Sequence, residues 1–302
     1  MKTMISRLVM TALVGLAALA MACSGGGDGA TSGGTLKIGG IPDQDVSALQ
    51  KQFGAVAEYL AAETGMKVEY VPSNDYAALV TAFQRGDVHL AWFGGLTGVQ
   101  ARAVTPGSVA IAQRPRDAEF RSVFVVGADS KATALKDLAG GTFTFGSESS
   151  TSGHLMPRYF LMQAGVDAAK AFRGAPGFSG SHDATYKLVE SGAFQAGALN
   201  QAVWEAALRD KKVDAAKVKV LMTTDPYFDY NWSVRSDLDE KLGAGATKKI
   251  SDALLAVGKS DRESAKTIVA SFGGGAAGGF VATKNENYAA IEQVAKQLAI
   301  IK

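Results

Sequence analysis

A run of hydroxyl side chains that follows a predicted buried strand is the part of this chain best suited to chemistry. Residues 146–154 (GSESSTSGH) lead from that strand straight into a predicted helix. The N-terminus of a helix offers unpaired N–H groups and a partial positive charge, and serine and threonine hydroxyls add neutral donors. Ser150, Thr151 and Ser152 therefore predict a cradle for a small oxyanion. A capped helix is the alternative, because one hydroxyl is enough for a cap.

Two further helix starts carry side chains that can reach a ligand. His182 and Asp183 open a predicted helix after a glycine-rich turn, and a histidine in this position can present a ring N–H to an anion. The alternative is that Ser181 or Asp183 caps the helix while His182 is solvated. Tyr76 follows a capping Asp75 at the start of another helix, where its hydroxyl can either donate to a ligand or pack in the core.

An aromatic pair ends one of the predicted strands. Trp92 and Phe93 precede Gly94 and Gly95, and because glycine lacks a Cβ atom the backbone here can approach a ligand closely. Burial of Trp92 in the core is the alternative.

The elements that would position these residues alternate between strands and helices. Predicted strands cover residues 35–39, 67–71, 89–93, 109–112, 122–126, 142–145, 194–198 and 218–222. Predicted helices cover residues 46–63, 75–84, 96–103, 151–164, 182–190 and 201–209, and the chain beyond residue 237 is largely helical. This alternation predicts an α/β fold with parallel-rich sheets covered on both faces. Ligands of such folds bind at the carboxyl ends of the strands.

The N-terminus is typical of an exported lipoprotein. A positively charged start precedes an apolar run over residues 8–22, which is shorter than the about 20 residues that a membrane span needs. Residues 1–22 are predicted to be a signal peptide, and Cys23, the only cysteine, the lipidated first residue of the mature protein. An ordinary secreted protein with an incidental cysteine is the alternative. Residues 23–34 are rich in glycine and serine and predict a flexible linker to a body in the periplasm or cell envelope.

The composition argues against several classes of function. The net charge is +2 with no dense basic stripe, which gives no indication of nucleic-acid binding. His89, His154 and His182 are scattered and no cysteine follows Cys23, so neither a metal site nor a disulfide is expected. No Gly-x-Ser-x-Gly elbow or other catalytic signature accompanies the serines. The sequence therefore predicts a binding protein without a cofactor, not an enzyme.

The order of these motifs resembles that of periplasmic solute-binding proteins of phosphonate/phosphite ABC transporters, over essentially the whole mature chain. The stretches that carry the resemblance are residues 75–78 (DYAA), 90–94 (LAWFG), 150–153 (STSG) and His182. The stretches most similar to the subgroup labelled as selenate-binding are residues 91–95, 99–102, 153–160, 179–185, 197–200 and 230–232.

The resemblance also implies a set of ligand-binding residues. The family's contact tyrosine falls on Tyr76, its aromatic residue after the strand on Phe93, its hydroxyl cradle on Ser150, Thr151 and Ser152, and its histidine on His182. Phe93 stands where phosphonate-binding members commonly have tyrosine, so it lacks a hydroxyl donor. Asn200 and Asp229 lie in the stretches that carry the acidic residues of aminophosphonate binders. An amide at position 200 suits a ligand without a cationic tail.

By this resemblance the chain is expected to adopt the two-lobed fold of type II periplasmic binding proteins. Residues 35–117 and 230–302 would form lobe one and residues 118–229 lobe two, joined by two crossings that act as a hinge. The expected function is that of a monomeric substrate-binding lipoprotein, which closes around a selenate-, phosphite- or phosphonate-like oxyanion and delivers it to the permease of an inner-membrane ABC importer. The alternative is a lipoprotein that presents its bound anion to a membrane sensor kinase.

Overall fold

The computed structural model describes residues 34–273 and 278–301 of the 302-residue chain. The predicted signal peptide, Cys23 and all of the predicted linker except Gly34 lie outside these residues. Within them, none of the helices combines the length and the apolar character that crossing a bilayer requires.

Strands and helices alternate along the described chain. The first elements are β1 (Leu36–Gly40), α1 (Val46–Thr64), β2 (Val68–Tyr70), α2 (Tyr76–Arg85), β3 (Leu90–Phe93), α3 (Gly95–Val104) and β4 (Val109–Gln113). The next are β5 (Ser122–Gly127), β6 (Phe143–Phe145), a π-helical turn (Thr151–Leu155), α4 (Met156–Gln163), β7 (Gly177–Phe178), α5 (His182–Glu190), β8 (Ala196–Asn200), α6 (Gln201–Arg209) and β9 (Val218–Thr223). The last are β10 (Asn231–Val234), α7 (Leu238–Leu242), α8 (Ala246–Ala256), α9 (Glu263–Ser271), β11 (Val281–Ala282) and α10 (Ala289–Gln297). Short 3₁₀ helices lie at Pro115–Glu119, Leu135–Leu138, Val257–Lys259 and Asn285–Tyr288.

The strands form two mixed sheets. Sheet one has the order β11-β4-β10-β3-β1-β2 and sheet two the order β7-β6-β8-β5-β9. Strands β5 and β10 run antiparallel to both of their neighbours. Each of them follows a crossing between the sheets, and each begins opposite the last residue of a neighbouring strand: Ser122 pairs with Asn200, and Asn231 with Phe93. Because the crossings deliver the chain to the carboxyl edge of each sheet, the strand that follows runs antiparallel.

The helices begin and end where the sequence offers caps. Asp45 accepts two backbone N–H groups at the start of α1, and Gly65 ends that helix with a φ of 71°, a left-handed conformation that favours glycine. At the start of α2 the carboxylate of Asp75 accepts the N–H of Ala78 at 2.7 Å. This cap places Tyr76 in the first turn of α2, beside the carboxyl edge of sheet one.

Large aromatic residues fill the core against sheet one. Phe53 of α1 meets Trp232 of β10 edge-on, with 6.1 Å between ring centroids, and Trp92 of β3 lies 5.4 Å from Trp232. Sheet two is covered by two smaller apolar clusters, one containing Phe143 and the other Trp204. These cores leave the loops at the carboxyl ends of the strands to carry buried polar residues.

The two chain crossings between the sheets are hydrogen-bonded to each other. Phe120 and Tyr227 exchange backbone hydrogen bonds of 2.8 and 2.9 Å, and the N–H of Asp229 donates to the carbonyl oxygen of Asp117 at 3.0 Å. The side chain of Asp117 is fully buried and pairs with Arg114, with 2.6 Å between Oδ1 and Nη2. The crossings therefore form one paired ribbon.

The α/β alternation predicted from the sequence is present, but β7, β10 and β11 are absent from the prediction. Strand β10 has only four residues, whose polar and apolar side chains alternate but are all buried, and β7 and β11 have two residues each. The C-terminal part of the chain, predicted to be a helical tail, therefore also supplies a central strand of sheet one. The strands of sheet one come from residues 36–113 and 231–282, and those of sheet two from residues 122–223, which is compatible with the predicted lobe boundaries.

Candidate ligand-binding site

The hydroxyl run lies in the π-helical turn that follows strand β6. The hydroxyl of Ser150 accepts the N–H of Gly153 at 2.9 Å and so caps the turn. Ser150, Thr151 and Ser152 are each no more than 2 % exposed. A Cβ atom on Gly153 would lie 3.1 Å from Cα of Gly146, so glycine allows the turn to fold back on the strand. The three hydroxyl residues therefore face the interior of the protein and not the solvent.

Helix α3 presents its first backbone N–H groups to this turn. The N–H of Gly95 donates to Oδ1 of Asp229 at 2.8 Å, and the N–H of Leu96 donates to the hydroxyl oxygen of Thr151 at 2.9 Å. A Cβ atom on Gly94 would lie 3.1 Å from that hydroxyl oxygen and 3.3 Å from Oδ1 of Asp229. Glycine thus permits the close approach, and the positive end of α3 faces oxygen atoms from sheet two and from the second crossing.

Two buried polar atoms beside this contact have no hydrogen-bond partner, namely the hydroxyl of Tyr76 and Oδ2 of Asp229. The two residues are 2 % and 1 % exposed. Burial, reinforced by the charge of Asp43, raises the pKa of Tyr76 well above its usual value, and the nearby hydroxyl of Ser150 opposes the rise. Leaving a buried polar atom unpaired costs about 1–3 kcal/mol. A polar ligand that reached these atoms would remove that cost.

The buried carboxyl group of Asp229 holds its proton to a higher pH than an ordinary aspartate does. Burial raises its pKa to about 7, although the hydrogen bond from Gly95 and the nearby hydroxyls of Thr151 and Ser152 lower it. A protonated carboxyl group donates a hydrogen bond. The site can therefore donate to an oxyanion through hydroxyl and carboxyl groups without a full positive charge.

His182 is a neutral histidine in the first turn of α5. It is 1 % exposed, and burial lowers its pKa to about 3. Its Nδ1 accepts the N–H of Asn200 at 3.4 Å, which assigns the ring proton to Nε2, and Nε2 lies 3.5 Å from the hydroxyl oxygen of Tyr230. Because both ring nitrogens face these groups and not a serine hydroxyl, His182 is not arranged to activate a nucleophile.

The hydroxyl of Tyr230 is hydrogen-bonded to both Asp43 and Asn200 beside His182, and these three residues are called here the Tyr230 group. The hydroxyl of Tyr230 donates to Oδ2 of Asp43 at 2.8 Å and accepts from the side-chain amide of Asn200 at 3.1 Å. The amide oxygen of Asn200 caps helix α6. Burial raises the pKa of Asp43 to about 6, against the opposing effects of the Tyr230 hydrogen bond and the charge of Arg114. The group joins the loop after β1 to the end of β8.

The other predicted site residues lie around these groups. Trp92 stacks on Tyr230 with 5.5 Å between ring centroids. Phe93 is fully buried and packs edge-on against Phe83 at 5.3 Å, so its ring belongs to the core. Asp183 accepts a hydrogen bond of 2.6 Å from the hydroxyl of the residue that caps α5. The predicted residues that the structure brings together are Tyr76, Ser150, Thr151, Ser152, His182, Asn200 and Asp229, with Trp92 beside them.

Two residues of this cluster, Asp43 and Tyr230, are absent from the predicted set. Asp43 follows the carboxyl end of β1, and because α/β folds hold ligands at such ends, its position was a usable signal. Tyr230 precedes β10, a strand that the sequence does not predict. Ser122 and Tyr227, whose hydroxyl oxygens are 2.6 Å apart beside the carbonyl oxygen of Ser152, have no comparable signal.

The described residues contain no cluster suited to a metal ion. Within residues 34–273 and 278–301, no three side chains of His, Cys, Asp or Glu lie together as metal ligands would. The site offers hydroxyl, amide, imidazole and carboxyl groups beside helix N-termini, a set that can hydrogen-bond a small anion.

Comparison with known proteins gives matches over most of the chain. Residues 38–288 match the family described as the periplasmic substrate-binding protein of phosphonate ABC transporters. The chain is 44 % identical over 274 residues to a probable ABC transporter phosphite-binding protein of Prochlorococcus marinus (strain MIT 9301), covering 88 % of this chain and 91 % of the relative. It is 31 % identical over 218 residues to a phosphate-import protein of Mycolicibacterium smegmatis, covering 67 % and 68 % of the two chains.

Solved structures share the fold. PhnD1 from Prochlorococcus marinus (MIT 9301) in complex with methylphosphonate matches with a TM-score of 0.83 at 44 % identity, over 88 % of this chain and 99 % of that chain. A binding protein component of an ABC phosphonate transporter from Pseudomonas aeruginosa matches with a TM-score of 0.74 at 21 % identity, over 87 % and 85 % of the two chains. These matches confirm the predicted α/β fold of periplasmic binding proteins, although its two sheets are mixed where the sequence predicted parallel-rich ones, because β5 and β10 enter antiparallel to both of their neighbours.

Proposed function

The chain belongs to the family of periplasmic substrate-binding proteins of phosphonate ABC transporters, and we propose that its ligand is phosphite or a short phosphonate, which it carries to an ABC permease. The proteins that it matches are substrate-binding components of transporters, and like them it is not an enzyme. The names of its relatives support this choice of ligand, since one is a phosphite-binding protein and PhnD1 was solved with methylphosphonate.

The observation that carries the proposal is the pair of unpartnered buried atoms beside the hydroxyl turn. The hydroxyl of Tyr76 and the Oδ2 atom of Asp229 lack partners, while the hydroxyls of Thr151 and Ser152 lie close to the same carboxyl group. A tetrahedral oxyanion presents several acceptor atoms in different directions, so it can accept from all of these donors at once. Each such bond to a charged partner is worth about 1.5–3 kcal/mol.

Closure of two lobes is the mechanism that this geometry favours. Thr151 comes from the segment of sheet two, whereas Tyr76 and the N–H groups of α3 come from the segments of sheet one. A ligand that touches both segments stabilises the closed state only through the contacts that it gains there. We place the hinge at the paired crossings, near the predicted boundaries at residues 117 and 230.

The side chain at position 200 favours an anion without a cationic tail. The side-chain amide of Asn200 is held by Tyr230 and by the start of α6, and it carries no negative charge that could pair with an ammonium group. Phe93 supplies no hydroxyl. Selenate has the same tetrahedral shape as phosphate, so the same site could bind it. The selenate-binding role stays a prediction.

We also propose that the protein is anchored through a lipidated Cys23, which rests on the sequence alone. We further propose that it is a monomer. The alternative of a sensor lipoprotein gains no support from the comparisons, because the proteins named above are transport components.

Titration calorimetry of the mature protein tests the proposal. The panel is phosphite, methylphosphonate, phosphate, sulfate, selenate and 2-aminoethylphosphonate. We expect phosphite or methylphosphonate to bind most tightly and 2-aminoethylphosphonate to bind weakly. X-ray scattering at saturation should then show a smaller radius of gyration than that of the free protein. A panel in which no oxyanion binds would refute the proposed function, and unchanged scattering at saturation would remove the closure mechanism.

A further inference from the structure

A cavity of about 100 Å³ adjoins the Tyr230 group, between helix α6 and the end of helix α9. Its lining includes Asp43, Trp92, Asn200 and three arginines, Arg114, Arg116 and Arg209. Asp43 and Asn200 also form hydrogen bonds with the hydroxyl of Tyr230, so the cavity adjoins the ligand site through the Tyr230 group. Its volume is that of about three water molecules at about 30 Å³ each, which is enough for a small tetrahedral anion.

The three arginines differ in how far their charges are compensated. Arg114 is 7 % exposed and pairs with the fully buried carboxylate of Asp117. Arg116 is exposed and donates from Nη2 to the carbonyl oxygen of Phe272 at 2.8 Å, a neutral partner. Arg209 ends α6 and makes only an exposed ion pair with the next residue, a kind of pair that contributes little. Arg116 and Arg209 therefore leave positive charge at the cavity.

The side chains of the proposed ligand site carry no full positive charge of their own. His182 is neutral because burial lowers its pKa to about 3. Burial raises the pKa values of Asp43 and Asp229 to about 6 and about 7, so these two side chains are either neutral or negative. Hydrogen bonds from such groups act only at contact, whereas charges act over a Debye length of about 10 Å at 0.1 M salt. Attraction of an anion from a distance therefore falls to the arginines at the cavity.

We propose that this cavity is a second, transient anion site, in which Arg116 and Arg209 hold an incoming oxyanion before it passes the Tyr230 group. The proposal rests on the function proposed above and deepens it. Charges at the mouth of a site act mainly on the association rate, by tenfold or more, while contacts in the final site set the dissociation rate. Loss of these two charges should therefore slow association and leave dissociation unchanged.

Stopped-flow fluorescence with methylphosphonate as the probe measures both rates. The test variant combines Arg116→Gln and Arg209→Gln, which removes two charges while glutamine keeps an N–H donor for the carbonyl oxygen of Phe272. A matched control combines Arg85→Gln and Arg173→Gln, which removes the same charge elsewhere. Arg85 is the last residue of α2, at the opposite end from Tyr76, and Arg173 is exposed in the loop between α4 and β7.

We expect the second-order association rate constant of the test variant to fall about three- to tenfold in about 0.01 M salt and less than about twofold in about 1 M salt. Dissociation should stay within about twofold, and the control should match the wild type. An equal fall in the control, an unchanged association rate, or a change confined to dissociation would each overturn the transient site. If the wild type binds no oxyanion of the panel, the proposed function fails and this proposal fails with it. Normal affinity with unchanged association overturns the transient site alone.

Discussion

The hydroxyl of Tyr230 donates a 2.8 Å hydrogen bond to Oδ2 of Asp43 across 187 positions of sequence, and both residues are at least 96 % buried. The same hydroxyl accepts the side-chain amide of Asn200 at the end of β8. One tyrosine at the second crossing thus joins the loop after β1 in sheet one to Asn200, the last residue of β8 in sheet two.

We expect Tyr230→Phe to lower the free energy of unfolding by about 1–3 kcal/mol, because it leaves a buried carboxyl group without its donor. The pKa of Asp43 is already raised to about 6 by burial, so the loss should be larger at about pH 8, where the group is charged, than at about pH 5. Denaturant unfolding at the two pH values measures this. Tyr59→Phe is the control: its hydroxyl donates to one neutral carbonyl at 3.0 Å, so its loss of about 0.5–1.5 kcal/mol should not change with pH. Equal, pH-independent losses in both variants would contradict the assignment.

The hydroxyl turn should carry a large share of the binding free energy. We expect Thr151→Ala or Ser152→Ala to weaken binding of methylphosphonate about ten- to a hundredfold, since each loses a donor to a charged ligand. The fold should survive, because Ser150 caps the turn and the one donor left unpaired by Thr151→Ala, the N–H of Leu96, costs only about 1–3 kcal/mol. Calorimetry measures the affinities, with Ser149→Ala from the same run, only partly buried, as the control. If the protein with both substitutions, Thr151→Ala and Ser152→Ala, is folded and binds with unchanged affinity, the hydroxyl run is only a helix cap and not a ligand site.

The stability of the ligand-free protein should fall as pH rises through the pKa values of two buried acids. Burial raises the pKa of Asp229 to about 7 and that of Asp43 to about 6, so the folded chain holds these protons more tightly than the unfolded chain. Their stabilising contribution is fully present below about pH 4 and is lost as pH rises through those values. Between about pH 6 and 8 most of the change comes from Asp229, and Asp229→Asn should flatten the curve there by about 1 kcal/mol. Thermal unfolding across that window checks the slope, and parallel curves would contradict it.

The same substitution should change how binding depends on pH. An ionised Asp229 repels an oxyanion, so the affinity of the wild type should fall above about pH 7 relative to that of Asp229→Asn. The ratio of the two dissociation constants removes the ligand's own ionisation, which is common to both proteins. A ratio that stays constant from about pH 6 to 8 would exclude this carboxyl group from the site.

Cys23→Ala should release the protein from membranes and leave ligand binding intact. The expectation follows from the small residues before the only cysteine in the chain. Fractionation followed by calorimetry on the released protein measures both. A Cys23→Ala variant that still sediments with the membrane would contradict the lipid anchor. The control is a variant in which cleavage of the signal peptide after Ala22 is blocked.

Local features of the fold could be predicted because their causes are local. Helix α6 has the predicted bounds, Gln201–Arg209, and α5 begins at His182 as predicted, because the caps that start them are neighbours in sequence. Strand β10 was missed although its four residues (NWSV) alternate between polar and apolar, because a run of four is the shortest that indicates a strand and it follows directly on a chain crossing.

The partners within the site could not be predicted for the opposite reason. The hydroxyl of Thr151 accepts from Leu96, 55 positions away, and the pairing of Asp43 with Tyr230 spans most of the described chain. Sequence spacing identified the hydroxyl run and the histidine as polar groups at helix starts. Their hydrogen-bond partners depend on the meeting of two sheets, which no local pattern encodes.

The position of β10 between β3 and β4 also bears on biosynthesis. A polypeptide leaves the ribosome and enters the export machinery from its N-terminus, so β3 and β4 exist well before residues 231–234 are available to pair with them. Sheet two, by contrast, is complete in sequence at residue 223. Sheet two can therefore fold while sheet one still has open edges, and such edges invite wrong pairing with other chains. Nascent molecules truncated before residue 231 should be the ones that most need chaperones.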